Sequence, residues 1–158
     1  MDIKLKEYLE RNGIKYKEFQ HPAIFTVAES AKIKDKIPGM HCKCLFLEDN
    51  LERFYLVGMP AEKRLNIKKL EKYFEVKKIR FGSEEELKEK LHLAPGSVSI
   101  FGMINTEGRV LLIFDKEVWD ANYIGFHPNI NTSTIVIDHA NLIKFVDSLK
   151  TKHEVIEL

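Results

Sequence analysis

At 158 residues, with 44% hydrophobic and 31% charged side chains, the chain suits one globular domain, residues 1–158, that closes a core without a disulfide staple. Its 25 basic and 24 acidic side chains leave a formal charge of +1. That balance argues against nonspecific nucleic-acid binding over the whole surface and decides nothing about a local phosphate-binding face. No apolar run approaches the roughly 18 residues of a membrane span, and the first residues lack a signal-peptide core. Cys42 and Cys44 stand too close in sequence for a structural disulfide, so a reduced cytoplasmic protein with no membrane partner is expected.

Ile3, Leu5, Tyr8 and Leu9 recur at near-helical spacing, and Asn12-Gly13 stops the pattern as a C-terminal cap would. Residues 14–21 alternate as a strand. Thr26 caps a short helix, with Glu29 three residues on to complete a capping box, and Pro38-Gly39 ends the region in a turn. Residues 42–47 and 53–58 form two strands of a hairpin about Glu48-Asp49-Asn50. Asn66 caps a helix carrying Ile67, Leu70 and Tyr73-Phe74, followed by a short strand at 76–80. Ser83 and Glu86 form a second capping box, opening a helix through Leu87 and Leu91. After the loop Ala94-Pro95-Gly96, residues 102–105 lead into a strand at 110–114. Two more strands occupy 122–127 and 132–137. Asp138 then caps a last amphipathic helix with Leu142, Ile143, Phe145, Val146 and Leu149. Strands interspersed with helices and joined partly by hairpins specify an α+β domain, a mixed sheet with flanking helices. No glycine-rich strand-to-helix loop occurs, so neither a P-loop nor a dinucleotide-binding fingerprint is present.

Three segments concentrate chemistry. In Ile37-Pro38-Gly39-Met40-His41-Cys42-Lys43-Cys44-Leu45-Phe46-Leu47, strand alternation sends Cys42 and Cys44 to one face and Lys43 and Leu45 to the other. A lysine directed at a core needs an anionic partner, from the protein or a ligand; the plain alternative is a strand-end lysine reaching back to water. His41, Cys42 and Cys44 lack the further ligands of a zinc site, and a Cys–His nucleophilic pair does not follow from adjacency alone. Buried small hydrophobes are the leading reading of the cysteines. The second segment, residues 93–102, contains Gly96, which allows close ligand approach and backbone amides that can hold a carbonyl or phosphate oxygen. A tight helix-to-strand turn is the equal alternative. The third, Gly125-Phe126-His127-Pro128-Asn129-Ile130-Asn131-Thr132-Ser133-Thr134, packs polar groups around a rigid turn, which suits recognition of a small polar ligand.

Together with His21-Pro22-Ala23-Ile24-Phe25-Thr26-Val27-Ala28-Glu29-Ser30, these segments resemble the YbaK/prolyl-tRNA editing family over nearly the whole chain, in particular its freestanding alanyl-tRNA(Pro) deacylase branch, the PrdX-like proteins. The resemblance implies that Lys43 contacts the terminal phosphate or sugar of the tRNA, that Gly96 begins the loop positioning the aminoacyl ester, and that His127 shapes the amino-acid pocket. It extends the substrate-binding set to Cys44, to Ser97, Val98, Ser99 and Ile100 on the loop, and to Phe126, Asn129, Asn131 and Thr132 around the histidine. It further implies that water attacks the ester, assisted by a substrate ribose hydroxyl, with no metal, cofactor or covalent intermediate. The implied partners are proline tRNA mischarged with a small amino acid and, transiently, prolyl-tRNA synthetase. Two positions depart from the family: Cys44 stands where asparagine is common, losing an amide's hydrogen bonds, and Ile100 stands where proline closes the loop. A catalytically weak tRNA- or synthetase-binding module, and a cysteinyl-tRNA(Pro) deacylase, are the alternative readings.

Overall fold

The computed structural model describes residues 1–158. In chain order the elements are α1 (Ile3–Arg11), β1 (Lys17–Gln20), α2 (Val27–Ala31), β2 (Met40–Asp49), β3 (Phe54–Pro60), α3 (Ile67–Tyr73) and β4 (Ile79–Phe81). They continue with α4 (Glu84–Leu91), β5 (Val110–Asp115), α5 (Lys116–Asp120), β6 (Tyr123–Phe126), β7 (Ser133–Asp138), α6 (His139–Ser148) and β8 (His153–Ile156). Short 3-10 turns occupy Lys34–Lys36 and Ile100–Asn105.

Side-chain caps start the helices where the sequence places them. Asn66, Ser83 and Asp138 each accept a backbone N–H from the first turn of the helix they precede, and the Ser83–Glu86 box closes in both directions. At α2 the box is one-sided. The Thr26 hydroxyl accepts the Glu29 N–H, but the Glu29 carboxylate takes the Thr26 hydroxyl, not its backbone N–H. The strand expected at 76–80 begins later because Val76 still donates to the Glu71 carbonyl and Glu75 turns left-handed at φ 54° to end α3. Only Lys17–Gln20 of the segment 14–21 pairs as a strand, since Ile14 donates back to the Leu9 carbonyl. Residues 102–105 lie inside the second 3-10 turn, and α5 and β8 were not anticipated.

The eight strands form one mixed sheet in the order β1-β7-β6-β2-β3-β5-β8, with β4 paired to β2 off that path. Alternation along β2, β3 and β5 feeds two cores. Phe46, Leu56, Leu112 and Phe114 join a 22-residue cluster with side chains of α1, α4 and α6. Leu47, Tyr55, Val57, Met59 and Ile113 join a smaller cluster closed by Leu70 of α3.

The position of β2 sets up the site. One edge pairs with β3 from Cys42 to Glu48. The other pairs in parallel with β6 at only two positions, Met40 with Ile124 and His41 with Gly125, and with β4 only from Leu47 to Asp49. From Cys42 to Phe46 that edge has no strand beside it. Beyond His41 the sheet forks.

Candidate active site

A cavity of about 220 Å³ opens at this fork. Lys43 and the two cysteines reach it from β2, Phe126 and His127 from the end of β6, and Gly96 and Val98 from the loop after α4. Its outer wall is Ile24–Val27 with Ser30 of α2, and Ala61 just past β3. The three residues expected to act on substrate therefore share one cavity.

Lys43 sits inside the ten-residue β2, not at its end, on the face opposite the cysteines and shared with Leu45 and Leu47. Neighbouring lysines are neutralised: Lys34 by Glu62 at 2.6 Å and Lys63 by Asp115 at 2.9 Å. Lys43 has no such carboxylate, and partial burial alone pulls its ammonium pKa below the usual 10.5. A half-buried cation without a counter-charge is electrostatically unsatisfied, and an incoming anion would stabilise it.

Gly96 adopts φ +86°, open to glycine and strained for other residues. A Cβ there would lie 3.0 Å from Cδ1 of Phe25, so the missing side chain lets the Phe25 ring settle over the loop. Phe25 itself is 67% exposed at the cavity mouth.

Hydrogen bonds set the His127 tautomer. Its Nδ1 lies 3.0 Å from the Ser133 carbonyl oxygen. A carbonyl only accepts, so Nδ1 carries the proton and Nε2 of the neutral ring is an acceptor. His21 is arranged in the same way: Nδ1–H donates to the Pro22 carbonyl at 2.9 Å, and Nε2 accepts the Thr134 hydroxyl at 2.9 Å. The two rings are 5.9 Å apart. Burial, reinforced by the nearby His21, lowers the His127 pKa below the ordinary 6.5 against the pull of the Ser133 carbonyl. The unfolded chain therefore binds this proton more readily, and the contribution of a neutral His127 to stability, present above about pH 6.5, is lost as pH falls through the depressed folded value. An NMR titration of the His127 ring is expected to place its midpoint below that of an unstructured histidine peptide; a midpoint at or above the peptide value would contradict the buried, neutral ring.

Burial pushes both cysteine thiols far above the ordinary thiol range, and the Cys44 sulfur rests against the Ile100 backbone N–H. They are protonated, poorly nucleophilic groups that pack on the larger core. No three His, Cys, Asp or Glu side chains are gathered as ligands for an ion.

The remaining sequence candidates divide. Cys44, Val98 and Phe126 line the cavity. Ser97 closes a turn by donating its N–H to the Ala94 carbonyl. Ser99 and Ile100 are fully buried and do not reach the cavity: the Ser99 hydroxyl accepts the Phe101 N–H to start the 3-10 turn, and Ile100 packs toward Gly58. The position where the family has proline is thus a core position here. Asn129 turns left-handed at φ 62°, its amide is buried without a hydrogen-bond partner, and it does not line the cavity. The Asn131 and Thr132 carbonyls accept the N–H groups of Ile24 and His21 and so tie the outer wall to the β6–β7 turn, and the Asn131 side-chain amide lies against the Gly96 loop, 3.6 Å from where a Cβ would stand. Sequence reasoning left out that outer wall, Ile24, Phe25, Thr26, Val27 and Ser30, together with Ala61. Its signal lay in the segment 21–30, whose residues carry the resemblance, although Ile24, Phe25 and Val27 are apolar and Thr26 reads as a helix cap.

Residues 21–145 match the family model described as an aminoacyl-tRNA editing domain. The prolyl-tRNA editing protein ProX of Acetoanaerobium sticklandii is 32% identical over 152 residues, covering 95% of this chain and 93% of that protein. Prolyl-tRNA synthetase associated domain-containing protein 1 of Danio rerio is 30% identical over 94% of this chain and 82% of its own length. A solved structure described as a candidate trans-editing enzyme for prolyl tRNA synthetase superposes with a TM-score of 0.73 at 16% identity, over 97% of each chain, a likeness of fold.

Proposed function

We propose that this chain, which belongs to the aminoacyl-tRNA editing domain family, is a trans-editing deacylase that hydrolyses alanine mischarged onto proline tRNA. Residues 1–158 act as one editing-type domain in the cytoplasm, where tRNA is charged, with prolyl-tRNA synthetase as a transient neighbour. The observation that carries the reading is the convergence of an uncompensated Lys43 cation, the left-handed Gly96 loop and the tautomer-fixed His127 on one small cavity.

In this reading Lys43 attracts the anionic terminal nucleotide and the Gly96 loop positions the ester. Water, its proton taken up with help from the substrate's ribose hydroxyl, attacks the carbonyl carbon. The tetrahedral intermediate then collapses, the ribose oxygen departs with a proton, and alanine leaves as its carboxylate. Orientation and fixed dipoles supply the rate enhancement, without a side-chain nucleophile. His127 walls the amino-acid end, and a small cavity excludes larger residues more strongly than it prefers smaller ones.

Two outcomes follow for single substitutions. His127→Ala enlarges the cavity, so prolyl-tRNA hydrolysis should gain on alanyl-tRNA hydrolysis by about 1–3 kcal/mol of selectivity at most, a shifted ratio and not a switch. Paired deacylation assays with the two substrates read this directly, and an unchanged ratio with weakened binding of uncharged tRNA would move His127 out of the amino-acid wall. Cys44→Asn should keep or raise alanyl-tRNA hydrolysis, because the asparagine oxygen can accept the Ile100 N–H that the thiol now meets. Complete loss of turnover in the folded variant would restore a cysteine nucleophile to the mechanism.

The decisive experiment is a deacylation panel of alanyl-, cysteinyl- and prolyl-tRNA(Pro) with the purified protein. Preference for the alanyl ester supports the proposal. Preference for cysteinyl reassigns the amino acid, and tRNA binding without hydrolysis of any ester reduces the protein to a binding module.

A further inference from the structure

The cavity can enclose only the aminoacylated end of a tRNA, so the preceding nucleotide must leave it across the surface. Two depressions share walls with the cavity. The first, beside Ala31, Lys34, Gly39 and His41, contains one lysine, and Glu62 already neutralises it at 2.6 Å. The second shares Val27, Lys43 and Ala61 with the cavity and runs for about 460 Å³ over Leu45, Leu65, Ile67 and Phe81.

The charge and surface of the second groove differ from those of the first. Lys63 within it is held by Asp115 and Glu117, and Glu62 on its rim is held by Lys34. Lys43 and Arg64, which both line it, remain without carboxylate partners, and Val27, Leu45, Ala61, Leu65, Ile67 and Phe81 make the rest of its lining mostly apolar. Phe81 pairs across the sheet with Leu47, which puts it on the Lys43 face of β2, yet it stays 56% exposed. Single-stranded RNA alternates flat bases with phosphates, and an exposed aromatic ring sharing one groove with two free cations offers a contact for each.

We infer that this groove holds the single-stranded nucleotide immediately preceding the aminoacylated adenosine, its base against Phe81 and its flanking phosphates at Lys43 and Arg64. The inference rests on the editing reading for the direction of the RNA, and it assigns Phe81 and Arg64 as positioning residues that the cavity chemistry does not require. An acidic protein segment would be drawn to the same cations, but it would not have to continue into the cavity through the shared Lys43 wall.

The test uses Phe81→Ala and Arg64→Ala, both at exposed positions, with Lys36→Ala, an exposed lysine that lines neither depression, as control. Each test variant should raise KM for alanylated CCA-ended tRNA by about tenfold, the order of one lost stack or phosphate contact, with kcat unchanged. Hydrolysis of the alanyl ester of adenosine alone should not change, and Lys36→Ala should match wild type on both substrates. Binding of uncharged CCA-ended RNA, followed by fluorescence anisotropy, should weaken by the same factor in the two test variants. That measurement judges the groove even if the wild-type protein hydrolyses no ester, a result that would remove the deacylase reading by itself. Unchanged RNA binding in both variants overturns the inference, as does an equal loss on the adenosine ester. RNA binding intact but binding to prolyl-tRNA synthetase lost would overturn it in favour of a protein-docking surface.

Discussion

Lys43→Ala is expected to lower deacylation of alanyl-tRNA(Pro) by about 10- to 100-fold or more, the value of a charge-assisted contact worth about 1.5–3 kcal/mol. The fold should not suffer. Lys43 meets no carboxylate, and partial burial already disfavours its charged form, so its removal breaks no ion pair and relieves a desolvation penalty. The variant should therefore melt at or above the wild-type temperature while single-turnover hydrolysis collapses. A structural lysine would show the reverse pattern, lower stability with turnover retained. Wild-type rates at both saturating and limiting tRNA would remove Lys43 from the site.

The second large effect belongs to Gly96→Ala. An L-residue held at φ +86° is strained by about 1–2 kcal/mol, and here the new methyl also meets the Phe25 ring at 3.0 Å. The loop and the outer wall cannot both keep their positions, so deacylation should fall by about tenfold or more, as expected when a substrate-positioning segment is displaced. Gly13 provides the control. It too is left-handed, at φ +65°, but a Cβ there has nothing within 4 Å and lies outside the cavity. Gly13→Ala should lose similar stability and keep its catalytic rate. If both variants lost activity in proportion to stability, the Gly96 loop would be a turn and nothing more.

Helix starts were legible because a cap is a local signal: an oxygen-bearing side chain at a fixed offset from the N–H it accepts, as at Asn66, Ser83 and Asp138. The face assignment within β2 was legible for a similar reason, since period-two alternation separates Cys42 and Cys44 from Lys43 and Leu45 without knowledge of their neighbours. Strand β8 was not, because it joins β5 through backbone pairing and its side chains show little alternation of burial. The shift of β4 depended on Glu75 adopting a left-handed conformation, which its residue type does not announce. At the site, Lys43, Gly96 and His127 stood out by residue type and by resemblance, and they share the cavity. Ser99 and Ile100 stood out only by proximity to Gly96; past Val98 the chain turns inward, and they belong to the core. The outer wall escaped notice because isoleucine, phenylalanine and valine are ordinary apolar residues until the fold brings them to a cavity mouth.

The fork in the sheet carries a mechanical consequence. The wall with Lys43 and the wall with His127 belong to two hydrogen-bond ladders joined at only two residue pairs, Met40 with Ile124 and His41 with Gly125. For the deacylase proposed above, the distance between those walls, and with it the largest amino acid admitted, would follow the stiffness of that short joint. A residue that never touches the ester could then retune the sieve. Gly125 is such a place, since a Cβ there would press on Thr134 at 3.2 Å and lever β6 against β7. On the proposed function, selectivity would drift through the compliance of the backbone while every group that meets the substrate stays the same.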